Sequence, residues 1–380
     1  MTTSVHQTDV IVVGAGIAGV GMAAQLGSDR RVVVLEQEAQ PGYHTTGRSA
    51  AVFAESYGGT TVRQLTRGSR GFFADPPAGF AEHPLLTPRG FLFIARHDQR
   101  EALEAFAALP DMRATARRLD PAAACAHMPL LRREYVADAL LDHGASDIDV
   151  HALLQGYVAM LRRNGGRIVG NARVTGIERS TGGWRVSSEA GLFEAPLLVN
   201  AAGAWADELA ALAGVAAIGL QPMRRTAALV DVPSSEGMAQ WPLTIDIDET
   251  FYFKPDAGRL LISPGDETPS EPCDASPDDL DLAIAVERIE TATTLDIRRM
   301  HSRWAGLRSF VGDRSPVAGF APDAAGFFWL AGQGGYGIQT APALSRAAAA
   351  LLLDRPLPAD LLDLGVTAAA LSPRRLQAAP

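Results

Sequence analysis

The hydrophobic pattern opens on DVIVV (residues 9–13), a short β-branched run apolar on both faces, as a central strand of a parallel sheet requires. A glycine cluster follows at once, and GVGMAAQLGSDR (residues 19–30) then predicts a helix. RVVVLE (residues 31–36) predicts a second buried strand that ends in an acid. Further along, DPPAG (residues 75–79) and residues 84–90 are loops, while residues 100–109 and 147–164 carry helical periodicity. APLLVNAAG (residues 195–203) is another buried strand. Between residues 221 and 304, alternating segments punctuated by proline, such as TFYFKP and RLLISP, predict antiparallel sheet covering one face of a pocket. FFWLAGQGGYGIQTAPALSRAAAALLL (residues 327–353) then restores the order strand, glycine turn, helix. No internal repeat or separable linker interrupts this pattern.

The pattern predicts a mixed α/β fold in which one α/β domain is assembled from discontinuous segments and a second domain from the sheet-forming insertions. The first is expected to comprise residues 1–80, 148–215 and 312–380, the second residues 81–147 and 216–311. With 380 residues, 47% hydrophobic and 20% charged, the chain belongs among packed globular proteins. A net charge of −9 argues against a nucleic-acid partner, which needs a concentrated basic face. Cys125 and Cys273 are the two cysteines, with no spacing that suits a disulfide framework or zinc, and no metal is expected. MTTSVHQTDV lacks the features of a secretory signal and no apolar run reaches the length of a membrane span, so a cytoplasmic protein with no integral membrane segment is expected.

Gly14, Gly16 and Gly19 form G-x-G-x-x-G between a strand and a helix. The first glycine permits the tight turn, the second lets backbone approach a pyrophosphate, and the third lets helix pack on strand. Ile17 and Ala18 open the helix, whose N-terminal N–H groups face the phosphates. Glu36 is placed to accept ribose hydroxyls, with Gln37 beside it, and an acid there favours NAD or FAD over NADP. The next segment, PGYHTTGRSAAVF (residues 41–53), turns the choice to FAD. Thr45, Thr46, Ser49, Ala50 and Ala51 are small or hydroxylic and bring backbone close to a ligand, and Arg48 is placed to face the diphosphate or a flavin edge. At the other end of the chain Gly332, Gly334, Gly335 and Gly337 allow a loop against the flavin, with a helix beginning near Ile338 directing its positive end toward it. Neither cysteine lies in a flavin-contacting motif, so FAD is expected to be non-covalent, with His44 the one side chain that leaves that question open.

Arg308 in WAGLRSF and Arg225 in QPMRR lie in or beside the predicted sheet, where a buried guanidinium requires an anion. A substrate α-carboxylate would satisfy it bidentately. A structural ion pair of Arg308 with Asp246 or Asp248 is the alternative, and Arg224 competes with Arg225 for the role. Tyr252 and Tyr57 are either site or core aromatics.

The set Gly14/Gly16/Gly19, Glu36, TTGRSAA, VNAAGAW, WAGLRSF and GFFWLAGQGGYGIQTA resembles the D-amino acid oxidase (DAO) superfamily of FAD-dependent oxidoreductases, and within it the bacterial D-arginine dehydrogenases. The resemblance implies a Rossmann-like FAD-binding domain interleaved with an antiparallel-sheet substrate domain. It extends the cofactor contacts to Val174, Ala202, Gly203, Trp205, Gly306, Arg308, Tyr336, Gln339 and Thr340. It also implies that Arg225, Arg308, Tyr252 and the backbone around Gly335 hold a substrate carboxylate, with Tyr57 bordering the site on a mobile loop.

The arginine-specific enzymes place a histidine and a threonine where Val52 and Ala54 stand here, and an acid where Phe91 stands. The expected substrate is therefore a D-amino acid with an apolar or aromatic side chain, unless Glu55 or Glu82 replaces the lost acid. The expected reaction is removal of the α-hydrogen as hydride, then hydrolysis of the imine to a 2-oxo acid and ammonia, with oxygen or a quinone-type acceptor taking the electrons. Oxidation of a 2-hydroxy acid or a secondary amino acid, and a flavin-binding protein without turnover, remain alternatives.

Overall fold

Every side chain of Val10–Val13, Val32–Leu35 and Phe327–Ala331 is buried, so these strands need cover on both faces. In the computed structural model, which describes residues 5–28, 30–234 and 236–376, they lie inside a six-stranded sheet. Its order is Arg167–Val169, Val32–Leu35, Val10–Val13, Leu197–Asn200, Phe327–Ala331, Val317–Phe320. All neighbours are parallel except the last pair. The two-residue period of a strand divides the side chains between two cores. Val10, Val12, Val34 and Leu330 join the helices Ile17–Gln25, Val150–Arg163 and Gly337–Leu352. Ile11, Val13, Val33 and Trp329 face the opposite way, toward Trp184, Val186 and Phe193 of a four-stranded sheet and the helix Ala206–Leu212. The first helix stops at Gln25, short of the expected residue 30, and Asp29 lies outside the described residues.

A nine-stranded sheet is formed by strands between Phe91 and Asp142 and between Gln221 and Phe310. It departs from the expected antiparallel arrangement at one junction, where Leu243–Asp246 pairs in parallel with Phe91–Ala95. Parallel neighbours need a long crossover, and the chain supplies it by passing through the six-stranded sheet between the two strands. Alternation again sorts the side chains. Leu92, Ile94 and Phe253 face the helix Asp279–Ala292, whereas Phe91 and Tyr252 face the cavity described below, with Phe93 stacked on Phe91 on the same side. A three-stranded sheet of Val52–Phe53, Ser146–Ile148 and Leu86–Pro88 stands beside that second face.

Candidate active site

The strand Val10–Val13 runs straight into the glycine turn. Gly14 has φ +104°, and a Cβ there would lie 2.3 Å from the Ala201 carbonyl oxygen, so a side chain is sterically forbidden. A Cβ on Gly19 would lie 2.0 Å from the Gly14 carbonyl oxygen, so that glycine packs helix on turn and stays off the cavity. Gly16 caps the helix in extended conformation with no side-chain cap, leaving its first turn open to a ligand except at Ile17, whose N–H donates to Thr46 Oγ1 at 3.1 Å. Glu36 is 7% exposed and is aimed by two backbone donors, Ala15 N–H at 2.6 Å and Glu38 N–H at 3.0 Å.

From Glu36 a cavity of about 290 Å³ runs to Arg308. It gathers Gly14, Gly16, Ile17, Ala18, Glu36, Gln37, Thr45, Thr46, Arg48, Ser49, Ala50, Val174, Ala202, Gly203, Trp205, Gly306, Gly334, Gly335, Gly337 and Ile338 on its walls, together with Arg225, Tyr252 and Arg308. The forbidden Cβ at Gly14, the open helix start and the aimed Glu36 form a cradle that fits a dinucleotide. A smaller compartment of about 60 Å³ adjoins it, lined by Ala51, Val52, Tyr57, Phe91, Leu243, Ile245 and Gln339, and shares Ser49, Ala50, Tyr252, Arg308, Gly335 and Ile338 with the large one.

Besides Gly19, the sequence expectations at Arg48, Thr340, Tyr336 and Ala54 need correction. Arg48 does not offer its guanidinium to a diphosphate or flavin edge: it donates to the carbonyls of Ala275 and Ala305, each at 3.0 Å, and pairs with Asp274. Thr340 is buried away from both compartments with its hydroxyl donating to the Tyr336 carbonyl at 2.8 Å, and Tyr336 itself packs edge-on against Tyr57 rather than lining a wall. Ala54 is fully buried off the compartment, its N–H donating to Gln339 Oε1 at 3.1 Å.

At the substrate end the two arginines differ. Arg308 lines both compartments and makes no hydrogen bond or ion pair among the described residues. Asp246 is instead bonded by Gln99 and Thr250, and Asp248 by Gln99. Its guanidinium lies against Gly335, where a Cβ would meet Nη1 at 2.8 Å. Burial works against its charge, but the phenols of Tyr252, Tyr57 and Tyr336 and the carboxylate of Glu249 more than offset this and hold it firmly protonated. Arg225, 8% exposed, donates to the Asp266 carbonyl at 2.7 Å and to Glu267 at 3.3 Å. Arg224 points through the other face of its strand to Asp281 at 2.7 Å, which removes it from the competition. Burial raises the Tyr252 phenol, yet Arg308 and Arg225 outweigh it and pull the group below its ordinary value.

Phe91 is 2% exposed, stacked on Phe93 and edge-on to Tyr57. Glu55 pairs with Arg70 and does not line the compartment, nor does Glu82. The acid that does approach is Glu249, unnoticed in the sequence, which accepts from Tyr57 Oη at 2.9 Å. Gln333 was also missed, although its place in GQGG marked it: it lines the large cavity with a buried Nε2 that has no acceptor.

The family model of the DAO FAD dependent oxidoreductases matches residues 9–351. The chain belongs to that family. It is an oxidoreductase and FAD is its cofactor, which agrees with the cradle at Gly14 and Glu36. Among curated proteins it is similar to FAD-dependent oxidoreductase domain-containing protein 1 of Bos taurus, 24% identical over 422 residues (92% of this chain, 82% of the relative). The Xenopus laevis protein of that name is 27% identical over 184 residues, which span 37% of its length. Hydrogen cyanide synthase subunit HcnC of Pseudomonas aeruginosa is 25% identical over 413 residues, 94% of each chain. The fold is shared with glycine oxidase from Geobacillus kaustophilus (TM-score 0.80, 21% identity, 95% and 99% of the two chains) and with L-proline dehydrogenase from P. horikoshii (0.81, 20%, 98% and 99%). No helix of the described residues is long and apolar enough to cross a membrane.

Proposed function

We propose that the protein oxidises a D-amino acid with an apolar or aromatic side chain to the imino acid, which water converts to the 2-oxo acid and ammonia. The observation that carries this reading is Arg308, a half-buried cation that makes no hydrogen bond or ion pair among the described residues and stands at the junction of the two compartments. A guanidinium in that position is stabilised by an anion arriving with the substrate. Arg308 would hold the α-carboxylate, Arg225 would support it from its place on Asp266 and Glu267, and the Tyr252 hydroxyl would donate a third bond. The α-carbon is then directed toward the large cavity and the side chain into the small one. FAD supplies the two-electron acceptor for the α-hydrogen.

The apolar and aromatic walls of the small compartment suit an aliphatic or an aromatic side chain. The walls Val52, Phe91, Leu243 and Ile245 offer no counter-charge to a basic side chain. No protein base is needed, because the amine can enter deprotonated and positioning then dominates. The D configuration rests on the resemblance carried by TTGRSAA and GQGGYGIQTA. FAD is read as non-covalent: His44 lines the cavity but its Nε2 is engaged by Glu38 at 2.9 Å, and neither cysteine lines it.

A secondary amino acid is the second reading. It is favoured by the likeness to sarcosine dehydrogenase of Mus musculus, 29% identical over 180 residues that cover 43% of this chain and 19% of that one. Anaerobic bleaching of the bound flavin by a panel of D-amino acids, their L-enantiomers, N-methyl amino acids and D-2-hydroxy acids separates these. Bleaching by apolar or aromatic D-amino acids is expected. Bleaching only by the L-acids or hydroxy acids overturns the assignment, and bleaching only by N-methyl acids selects the second reading.

A further inference from the structure

Two polar contacts outside the reacting centre, one buried and one part-buried, join the opposite walls of the small compartment. One wall is the nine-stranded sheet, which presents Phe91 and Tyr252; the other is the segment carrying Val52 and Tyr57. Lys254 stands two residues beyond Tyr252 on the same strand, hence on the same face, and is 6% exposed. Its Nζ donates to Asp147 at 2.9 Å. Asp147 is the direct cross-strand partner of Val52, so the two side chains share a face. Arg89 also pairs with Asp147 and donates to the Trp241 carbonyl at 3.0 Å. The second contact repeats this layout. Asp142 is the cross-strand partner of Phe91, is 2% exposed, and accepts from Ser56 Oγ at 2.7 Å, one residue before Tyr57.

Charged groups held out of water are costly unless paired, and two charge-bearing contacts placed just behind an apolar chamber are a poor way to gain stability. They do fix the spacing of what they join. The structure assigns the contacts Lys254–Asp147 and Asp142–Ser56 as struts that set the width of the small compartment and so the largest side chain it admits. Asp147 is then a positioning residue: it touches neither cofactor nor substrate, and acts through Val52. This inference rests on the proposed seat of the carboxylate at Arg308.

The test is a titration of the FAD-loaded protein with acetate, 3-methylbutanoate and phenylacetate, read as a change in flavin absorbance, so that it needs no turnover and no choice of stereochemistry. The ratio of the affinities for 3-methylbutanoate and phenylacetate in the unsubstituted protein is the reference, because a fixed pocket discriminates by size. Asp147→Glu lengthens one strut by a methylene, and Ser56→Ala removes the other. Each is expected to shift the ratio toward phenylacetate by about fivefold or more, with acetate and FAD affinity unchanged. A merely structural role would lower stability and leave the ratio alone. An unmoved ratio in both FAD-loaded variants overturns the strut assignment while the carboxylate seat stands. If no carboxylate perturbs the flavin of the unsubstituted protein, the seat at Arg308 is wrong and the struts fall with it.

Discussion

Replacing Arg308 by methionine separates the two roles such an arginine can have. A structural arginine holds the fold by its ion pairs, but Arg308 has none among the described residues, so its removal leaves no carboxylate stranded. Arg308 is half-buried and faces the cavity, and Arg308→Met is therefore expected to leave the melting temperature nearly unchanged. Substrate binding is expected to suffer instead. Truncating one member of a buried, hydrogen-bonded charge pair costs about 2–5 kcal/mol, which at about 1.4 kcal/mol per decade is roughly thirtyfold to several thousandfold. Arg225 can compensate only in part, because its guanidinium is already engaged by Asp266 and Glu267. Anaerobic stopped-flow reduction of the flavin by an aliphatic D-amino acid and by the matching amine without its carboxylate measures the effect. The variant is expected to lose about a hundredfold or more in kcat/KM for the acid, and little for the amine. Equal losses on both substrates, or a loss under about fivefold with the acid, would refute the carboxylate seat. A fall in melting temperature would show that Arg308 has a structural partner after all.

Gly14→Ala forces a Cβ to 2.3 Å from the Ala201 carbonyl oxygen at a φ of +104°; at least about a hundredfold weaker FAD binding, roughly 2.7 kcal/mol, is expected by flavin fluorescence titration. Because Arg308 and Arg225 lower the Tyr252 phenol from its usual value near 10, deprotonation places a phenolate between the cations that should meet the substrate. Carboxylate affinity is thus expected to be full at neutral pH and to fall as pH rises through a value below 10. Tyr252→Phe should abolish that limb in a 3-methylbutanoate titration. Phe91→Glu puts a carboxyl at a 2% exposed position directly across from Asp142; a lower melting temperature is expected, together with a rise of about tenfold or more in kcat/KM for D-arginine relative to D-leucine, the scale of a buried ion pair. No such rise would remove Phe91 from the compartment's selectivity.

Local signals made the nucleotide half legible. DVIVV and RVVVLE are apolar on both faces, Gly19 is required by the Gly14 carbonyl five residues before it, and Glu36 closes the second strand, so these inferences depended on near neighbours, although the contact that forbids a side chain at Gly14 comes from Ala201. Arg308 was also legible, as a charge inside an alternating strand. Arg224 and Arg225 could not be told apart until strand pairing fixed which faced the cavity. What escaped the sequence depends on distant partners. Arg48 was misread because its acceptors, Ala275 and Ala305, lie more than two hundred residues away. Glu249 hid among the acids of TIDIDET, where only the fold shows that one of them meets Tyr57. The parallel junction of Phe91–Ala95 with Leu243–Asp246 is of the same kind, and it matters most for function. It places Phe91 beside Leu243, one residue before the Thr244–Phe253 pair and two before the Ile245–Tyr252 pair. The floor of the small compartment is thereby assembled from three segments with no sequence signal in common. The chemistry at Arg308 can be read from a motif because it needs one residue of fixed type; the choice of side chain cannot, because it is set by the spacing between walls.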